Sequence, residues 1–170
     1  MEHLRGKLTI GCDIIQADKL SEKLVALLPT SLDARTVRTL RLGIREMLIN
    51  AIEHGSLEIG FEAKTGEVGR SDYMAFLLER QKQPKYAGRK VTVEYHFCPR
   101  TLTFRISDEG PGFDHRKAHR AAAAAGDNLD LAHGRGIRMT LRIFDRVRYN
   151  NRGNRVTLLK KMPVASARAS

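Results

Sequence analysis

Residues 45 to 55, REMLINAIEHG, place a carboxylate, a carboxamide and an imidazole at Glu46, Asn50 and His54. Four-residue spacing on a helix brings side chains to one face, so these three polar groups share a side of an otherwise apolar segment. A buried, unpartnered amide costs about 2–7 kcal/mol, so such a face calls for partners. A magnesium nucleotide lying over it would supply them. The Asn50 amide oxygen suits a hard cation, and Glu46 could orient or deprotonate an attacking hydroxyl. The alternatives are a solvated helix face for Glu46 and Asn50, and a C-terminal cap or packing role for His54.

Two glycine-bearing stretches carry complementary chemistry. DEGPG, residues 108 to 112, ends a strand with an acid and two glycines. The Asp108 carboxylate can accept a hydrogen bond from an exocyclic amine but repels phosphate, which favours the base end of a nucleotide. Gly110 and Gly112 let backbone approach a ligand too closely for a Cβ. The same pattern is also an ordinary turn sequence. HGRG, residues 133 to 136, sets Gly134, Arg135 and Gly136 immediately before a helix. Free backbone N–H groups at a helix start form an anion site, although a plain loop-to-helix transition has the same sequence.

The elements that must hold these residues follow from periodicity. KLTIG (7–11) alternates like an edge strand, and residues 17–28 repeat Leu20, Leu24, Leu27 and Leu28 at helical spacing until Pro29 closes the helix. The next helix has capping candidates in Thr30 and Ser31. It carries Leu40, Ile44, Met47, Leu48 and Ala51 along one face and stops at Gly55. Residues 56–89 read as an excursion from the core fold, with a helix near Tyr73–Gln81. KVTVEYHF and TLTFRIS alternate strictly and turn at CPR, an antiparallel hairpin. IRMTLRIFD is a short amphipathic helix, and RVRYNNRGNRVTLLKK is a second hairpin turning at 151–154. Residues 163–170 are small and polar, as in a disordered tail. The expected architecture is a single domain over 1–162, a two-layer α/β sandwich with helices on one face of a mixed, mostly antiparallel sheet.

The formal net charge is +11, with 30 Lys and Arg against 19 Asp and Glu, which makes an anionic partner plausible: nucleotide, nucleic acid, membrane surface or acidic protein. Aromatic residues make up only 6% of the chain, without the interleaving that base stacking uses, so nucleic acid is disfavoured. Arginines 135, 138, 142, 146, 148, 152 and 155 crowd the C-terminal third. They could neutralise a triphosphate, dock an acidic protein or form a solvated face. Cys12 and Cys98 lie too far apart in sequence for a CxxC pair, and neither a disulfide framework nor a tetrahedral zinc site can be built from these two alone, which favours a reducing cytoplasm. No apolar run approaches the roughly 20 residues that span a bilayer.

EMLINAIEHG on a helix, ISDEGPGF ending a strand and HGRGIRM opening a helix, in that order, resemble the N box and two glycine boxes of the GHKL superfamily, the ATP-binding (Bergerat) fold of histidine kinases and gyrase B. With the closing DRVRYNNRGNRVTLLKK, the likeness is greatest to the anti-sigma-factor serine kinases of bacterial partner switching, and it covers about residues 10 to 161. The resemblance implies that ATP and Mg2+ bind, with Asn50 on the magnesium and Glu46 as general base. It implies Asp108 on the adenine amine, Gly110 and Gly112 shaping that pocket, and Gly134, Arg135 and Gly136 bordering the phosphates. Residues 115–133, with Ala121–Ala125, would form a lid. The implied partners are an anti-sigma-factor antagonist, a sigma factor or both, with a homodimer left open. The implied activity is transfer of the ATP γ-phosphoryl to a serine of the antagonist. The alternative is a non-catalytic module whose ATP-bound state holds a sigma factor or regulator.

Overall fold

A computed structural model describes residues 3–60, 70–114 and 135–162. In chain order its elements are β1 (Leu4–Ile10), α1 (Ile14–Ala26), α2 (Ala34–Asn50), a π-helical turn (Ala51–Ser56), α3 (Arg70–Lys82), β2 (Val91–Cys98), β3 (Thr101–Asp108), α4 (Arg135–Ile143), β4 (Arg146–Tyr149) and β5 (Arg155–Lys161). The expected lid at 115–133, Gly134 and the tail at 163–170 lie outside the described residues.

Alternation in β2 and β3 sends Val91, Val93 and Phe97, and Leu102, Phe104 and Ile106, to one buried face. Register extends that face across the sheet. Leu8, Val93, Ile106 and Val156 form one cross-strand row, and Tyr95, Phe104, Leu158 and Val147 the next. The five strands run in the order β1-β2-β3-β5-β4, and every pairing is antiparallel. A residue one step along a strand points to the other side, so the opposite face carries the row Lys7, Glu94, Arg105, Thr157 and Arg148. Much of the basic surplus in β4 and β5 sits there as a charged sheet surface.

The helices cover the apolar face. α2 buries Leu40, Gly43, Ile44, Met47 and Leu48, and α1 buries Ala17, Leu20 and Leu24 against the same core. α4 crosses α2 closely at Gly43, where a Cβ would lie 2.8 Å from the Phe144 ring. Arg45 pairs with Asp18 and Arg41 with Glu22, tying α1 to α2. The two-layer α/β sandwich expected from the sequence is the fold observed.

Helix boundaries differ from the sequence reading at the N-termini. α1 begins at Ile14, capped by Asp13, whose carboxylate accepts from the Ile15 N–H at 2.9 Å. α2 begins at Ala34. Its cap is Asp33, which accepts from the Thr36 N–H at 2.9 Å and the Thr36 hydroxyl at 2.6 Å. Thr30 and Ser31 cannot serve, because the Leu32 N–H returns to the Pro29 carbonyl at 3.1 Å and closes a turn around them.

Residues 56–89 contribute to the core through Leu57, Ile59, Leu77 and Tyr86, all buried. Arg80 donates to the carbonyls of Leu57 and Glu58, and Arg89 to that of Ser56. Both guanidinium groups also lie over the Tyr86 ring, 4.5 and 5.2 Å from its centroid. These contacts fasten α3 and the residues after it to the exit of the π-helical turn.

Candidate nucleotide site

Asn50 is the last residue of α2, and the chain then widens. Ala51–Ser56 form the π-helical turn, closed by the Leu57 N–H on the Ile52 carbonyl at 2.8 Å and the Ile59 N–H on the Glu53 carbonyl at 2.8 Å. Such turns are rare and concentrate at functional sites. Gly55 therefore does not end the helix, as its sequence position suggested. It lies buried inside the turn, and a Cβ there would sit 2.4 Å from the Asp108 carboxyl carbon. The need for glycine at 55 comes from the approach of a strand end, not from a left-handed backbone. His54 reaches the Ile59 carbonyl through Nδ1 at 2.6 Å and also lines the cleft described below.

Asp108 closes β3 on the other side. Its carboxylate accepts from the Gly110 N–H at 2.8 Å, while its backbone exchanges bonds with Asn154 at 3.0 and 3.2 Å. Burial pushes the Asp108 carboxyl from its ordinary 3.8 up to about 6, against the lowering influence of the Gly110 N–H, Arg152 and Arg89. The loop after it is interlocked with its neighbours. A Cβ on Gly110 would lie 2.1 Å from the Gly55 carbonyl oxygen. Gly112 has φ +88°, and a Cβ there would lie 1.9 Å from the Arg152 carbonyl oxygen. In the β4–β5 turn, Gly153 has φ +79° and faces the Phe113 backbone.

The third segment arrives as the first turn of α4. A Cβ on Gly136 would lie 2.7 Å from Glu46 Oε2 and 3.7 Å from Asn50 Nδ2. Gly136 thus lets the start of α4 settle on the Glu46 and Asn50 side of α2. The Arg135 backbone opens that helix, and its side chain lies outside the described residues. Glu46 has Arg45 as a distant neighbour at 3.9 Å, but that guanidinium is held by Asp18.

Between these segments lies an open cleft. Asn50, His54 and Asp108 line it together with Met47, Ile106, Ile137 and Val156. A few polar groups set in apolar walls suit a planar heterocycle with a polar edge. Phe113 and Tyr149 meet edge to face at 5.4 Å on its margin, and burial pushes the Tyr149 hydroxyl up to about 12. Of the residues singled out from the sequence, Asn50 and Asp108 line the cleft, Gly110 packs against Gly55 and Gly112 against Arg152, and Glu46 and Gly136 meet beside Asn50. Sequence reasoning missed Gly55, Phe113, Tyr149 and Arg155. Gly55 carries the one available signal, a glycine beside His54, but that position reads equally as a helix stop.

The Asp108 shift has a stability consequence. The folded chain holds this proton to about pH 6, whereas an unfolded aspartate releases it near 3.8. The folded state therefore binds more protons in that window, and stability falls as pH rises through it. Asp108→Asn is expected to stabilise the fold by about 1–2 kcal/mol above pH 6, discounted for partial solvation, with the gain vanishing below about pH 4. Urea denaturation at both pH values checks this. A variant less stable than the parent at neutral pH would contradict a costly buried charge.

Among the described residues, no helix is long and apolar enough to cross a membrane. No curated protein matches the chain. Residues 79–160 match the model of the histidine kinase-like ATPase domain. The match spans β2, β3, α4, β4 and β5 with the two glycine stretches, and it supports ATP binding by this α/β fold, which is consistent with a GHKL-type ATPase domain.

Proposed function

We propose that the cleft binds ATP with Mg2+ and that the chain acts as a protein-serine kinase resembling those of bacterial partner switching, with a serine of an anti-sigma-factor antagonist as acceptor. In this reading the Asp108 carboxylate accepts from the adenine amine, and the apolar walls take the ring. The Asn50 amide oxygen is the donor for magnesium, an oxygen-seeking cation, which when bound with the nucleotide would offset phosphate charge. The backbone at Arg135 and Gly136 borders the phosphates, and Gly134 falls to the same role by its place in sequence. Glu46 accepts the proton of the attacking serine hydroxyl.

The observation that carries this reading is the meeting of Asp108 with the π-helical turn on one side of the cleft and of Gly136 with Glu46 and Asn50 on the other. A charged carboxylate buried at a pocket edge is costly by itself, and an amine donor on a ligand would offset that cost.

Calorimetry with ATP, ADP and adenosine, with and without Mg2+, tests nucleotide binding. Losing a hydrogen bond to a charged group costs about 1.5–3 kcal/mol, so Asp108→Asn is expected to weaken adenosine binding roughly ten- to hundredfold. Adenosine carries no phosphate, so its affinity for the parent should also fall as pH drops through about 6, where Asp108 gains its proton. Unchanged affinity in the variant would remove Asp108 from the base pocket.

A second reading, an ATP-dependent binding module without turnover, draws on the extent of the family match, which begins at residue 79 and leaves out the helix carrying Glu46 and Asn50. Differential affinity of a partner for the ATP-bound state would suffice for regulation. Incubation with labelled ATP and candidate antagonists separates the two readings. A labelled phosphoserine product supports the kinase, and stoichiometric capture with no labelled product supports the module.

A further inference from the structure

The opposite end of the sheet gathers a second set of ligating side chains. Val91 pairs with Asp108 at the cleft end of the β2–β3 ladder, and Cys98 pairs with Thr101 at the far end. At about 3.4 Å per residue these ends are roughly 20 Å or more apart. Arg5 pairs with His96 and Leu4 with Phe97, and His3 immediately precedes β1. Residues two apart on a strand share a face, so His3, His96 and Cys98 all project from the charged face, away from the helices. The two imidazole rings stack with centroids 5.6 Å apart, and His3 Nδ1 lies 3.4 Å from His96 Nε2. One donor atom from each of the three residues falls within 4.8 Å of the other two.

We infer that His3, His96 and Cys98 bind a zinc-type transition cation that fastens the N-terminal end of β1 to β2. Tetrahedral coordination with Zn–N near 2.05 Å and Zn–S near 2.3 Å sets ligand nitrogens about 3.3 Å apart, and a nitrogen and sulfur about 3.5 Å apart. The observed 3.4 Å between imidazole nitrogens already matches. The thiol must close by at most about 1.3 Å from the 4.8 Å limit, a rotation open to a half-exposed side chain. At 3.4 Å any hydrogen bond between these two nitrogens is longer than usual, so a metal would replace a weak contact. Two imidazoles and a thiolate select zinc, cobalt, nickel or copper over magnesium or calcium, which keeps this site chemically distinct from one built on the Asn50 amide.

The Cys98 sulfur also lies 3.1 Å from the Thr101 hydroxyl, which can donate to a thiolate and orient it. Three protein donors leave one position for water or an outside ligand. Arg5, opposite His96 on the same face, opposes a cation, and the thiolate charge offsets it. The site is therefore expected to bind more weakly than a closed four-ligand centre.

Titration of the full, untagged chain with Zn2+ and Co2+ tests the inference. The expected result is one zinc per chain, a rise in melting temperature on adding zinc, and a thiolate-to-cobalt charge-transfer band. Cys98→Ser should abolish the band, and His3→Ala or His96→Ala should each lower zinc affinity at least tenfold. Cys12→Ala, in which the core thiol is removed, should keep the band. ATP affinity should be the same in the parent and in Cys98→Ser, since the two sites lie at opposite ends of the sheet. Zinc affinity unchanged by His96→Ala and Cys98→Ser, or cobalt bound without a charge-transfer band, would overturn the site whether or not nucleotide binds.

Discussion

Glu46→Gln is expected to lower phosphoryl transfer from ATP to a serine acceptor by about 10²–10⁴-fold, the usual contribution of a positioned general base, while ATP affinity stays within about twofold of the parent. The two effects separate because of where Glu46 sits. It stands one helical turn before Asn50 and against Gly136, and it is not among the residues lining the cleft. Glutamine keeps the length and the polar end of the side chain but cannot take a proton from a hydroxyl. On the proposed kinase reading, kcat should therefore fall with little change in KM for ATP, the pattern of a group that acts only in the transition state. Steady-state assays with labelled ATP, paired with calorimetry on the same preparation, make the measurement. A variant that phosphorylates as fast as the parent removes Glu46 from the base role. A parallel loss of ATP affinity would make it a binding residue.

Gly112→Ala is expected to destabilise the fold by about 3 kcal/mol or more, a melting-temperature drop of roughly 6–12 °C for a chain of this size. Two costs combine there. The backbone sits at φ +88°, where alanine is strained, and the added Cβ would lie 1.9 Å from the Arg152 carbonyl oxygen. That neighbour is backbone, so no side-chain rotation relieves the clash, and either the loop after Asp108 or the β4–β5 turn must move. Phe113 follows directly and lines the cleft, so adenosine affinity should fall in the same variant. Gly88→Ala is the matched control. A Cβ at Gly88 meets nothing within 4 Å, and its effect should stay within about 0.5 kcal/mol. Thermal and urea denaturation of the pair provide the test, and similar stabilities for the two variants would show that the loop does not interlock as described.

Much of the frame could be read along the chain because its causes are local. Alternation in 91–98 and 101–108 requires strands with one apolar face, and the leucine spacing of α1 and α2 requires amphipathic helices. Glu46 and Asn50 could be placed on one side of α2 for the same reason, whereas His54 falls in the π-helical turn, where four-residue spacing no longer fixes the face. The capping position was harder, since Thr30, Ser31 and Asp33 are all good cap residues. The Pro29–Leu32 turn, a feature of backbone path, settled the choice on Asp33. The π-helical turn left no periodic signal, because an i to i+5 register over six residues uses the same side-chain types as an ordinary helix end.

By itself the sequence determined which segments are helix or strand, which faces are apolar, and which side chains carry acid, amide and imidazole chemistry, because each depends on residues within a few positions of one another. Only the tertiary structure decided that Asp108 meets Gly55, that Gly136 meets Glu46 and Asn50, and that His3 reaches His96 and Cys98. Those meetings depend on strand register and on how closely backbones approach, and both are set by the collective packing of the core.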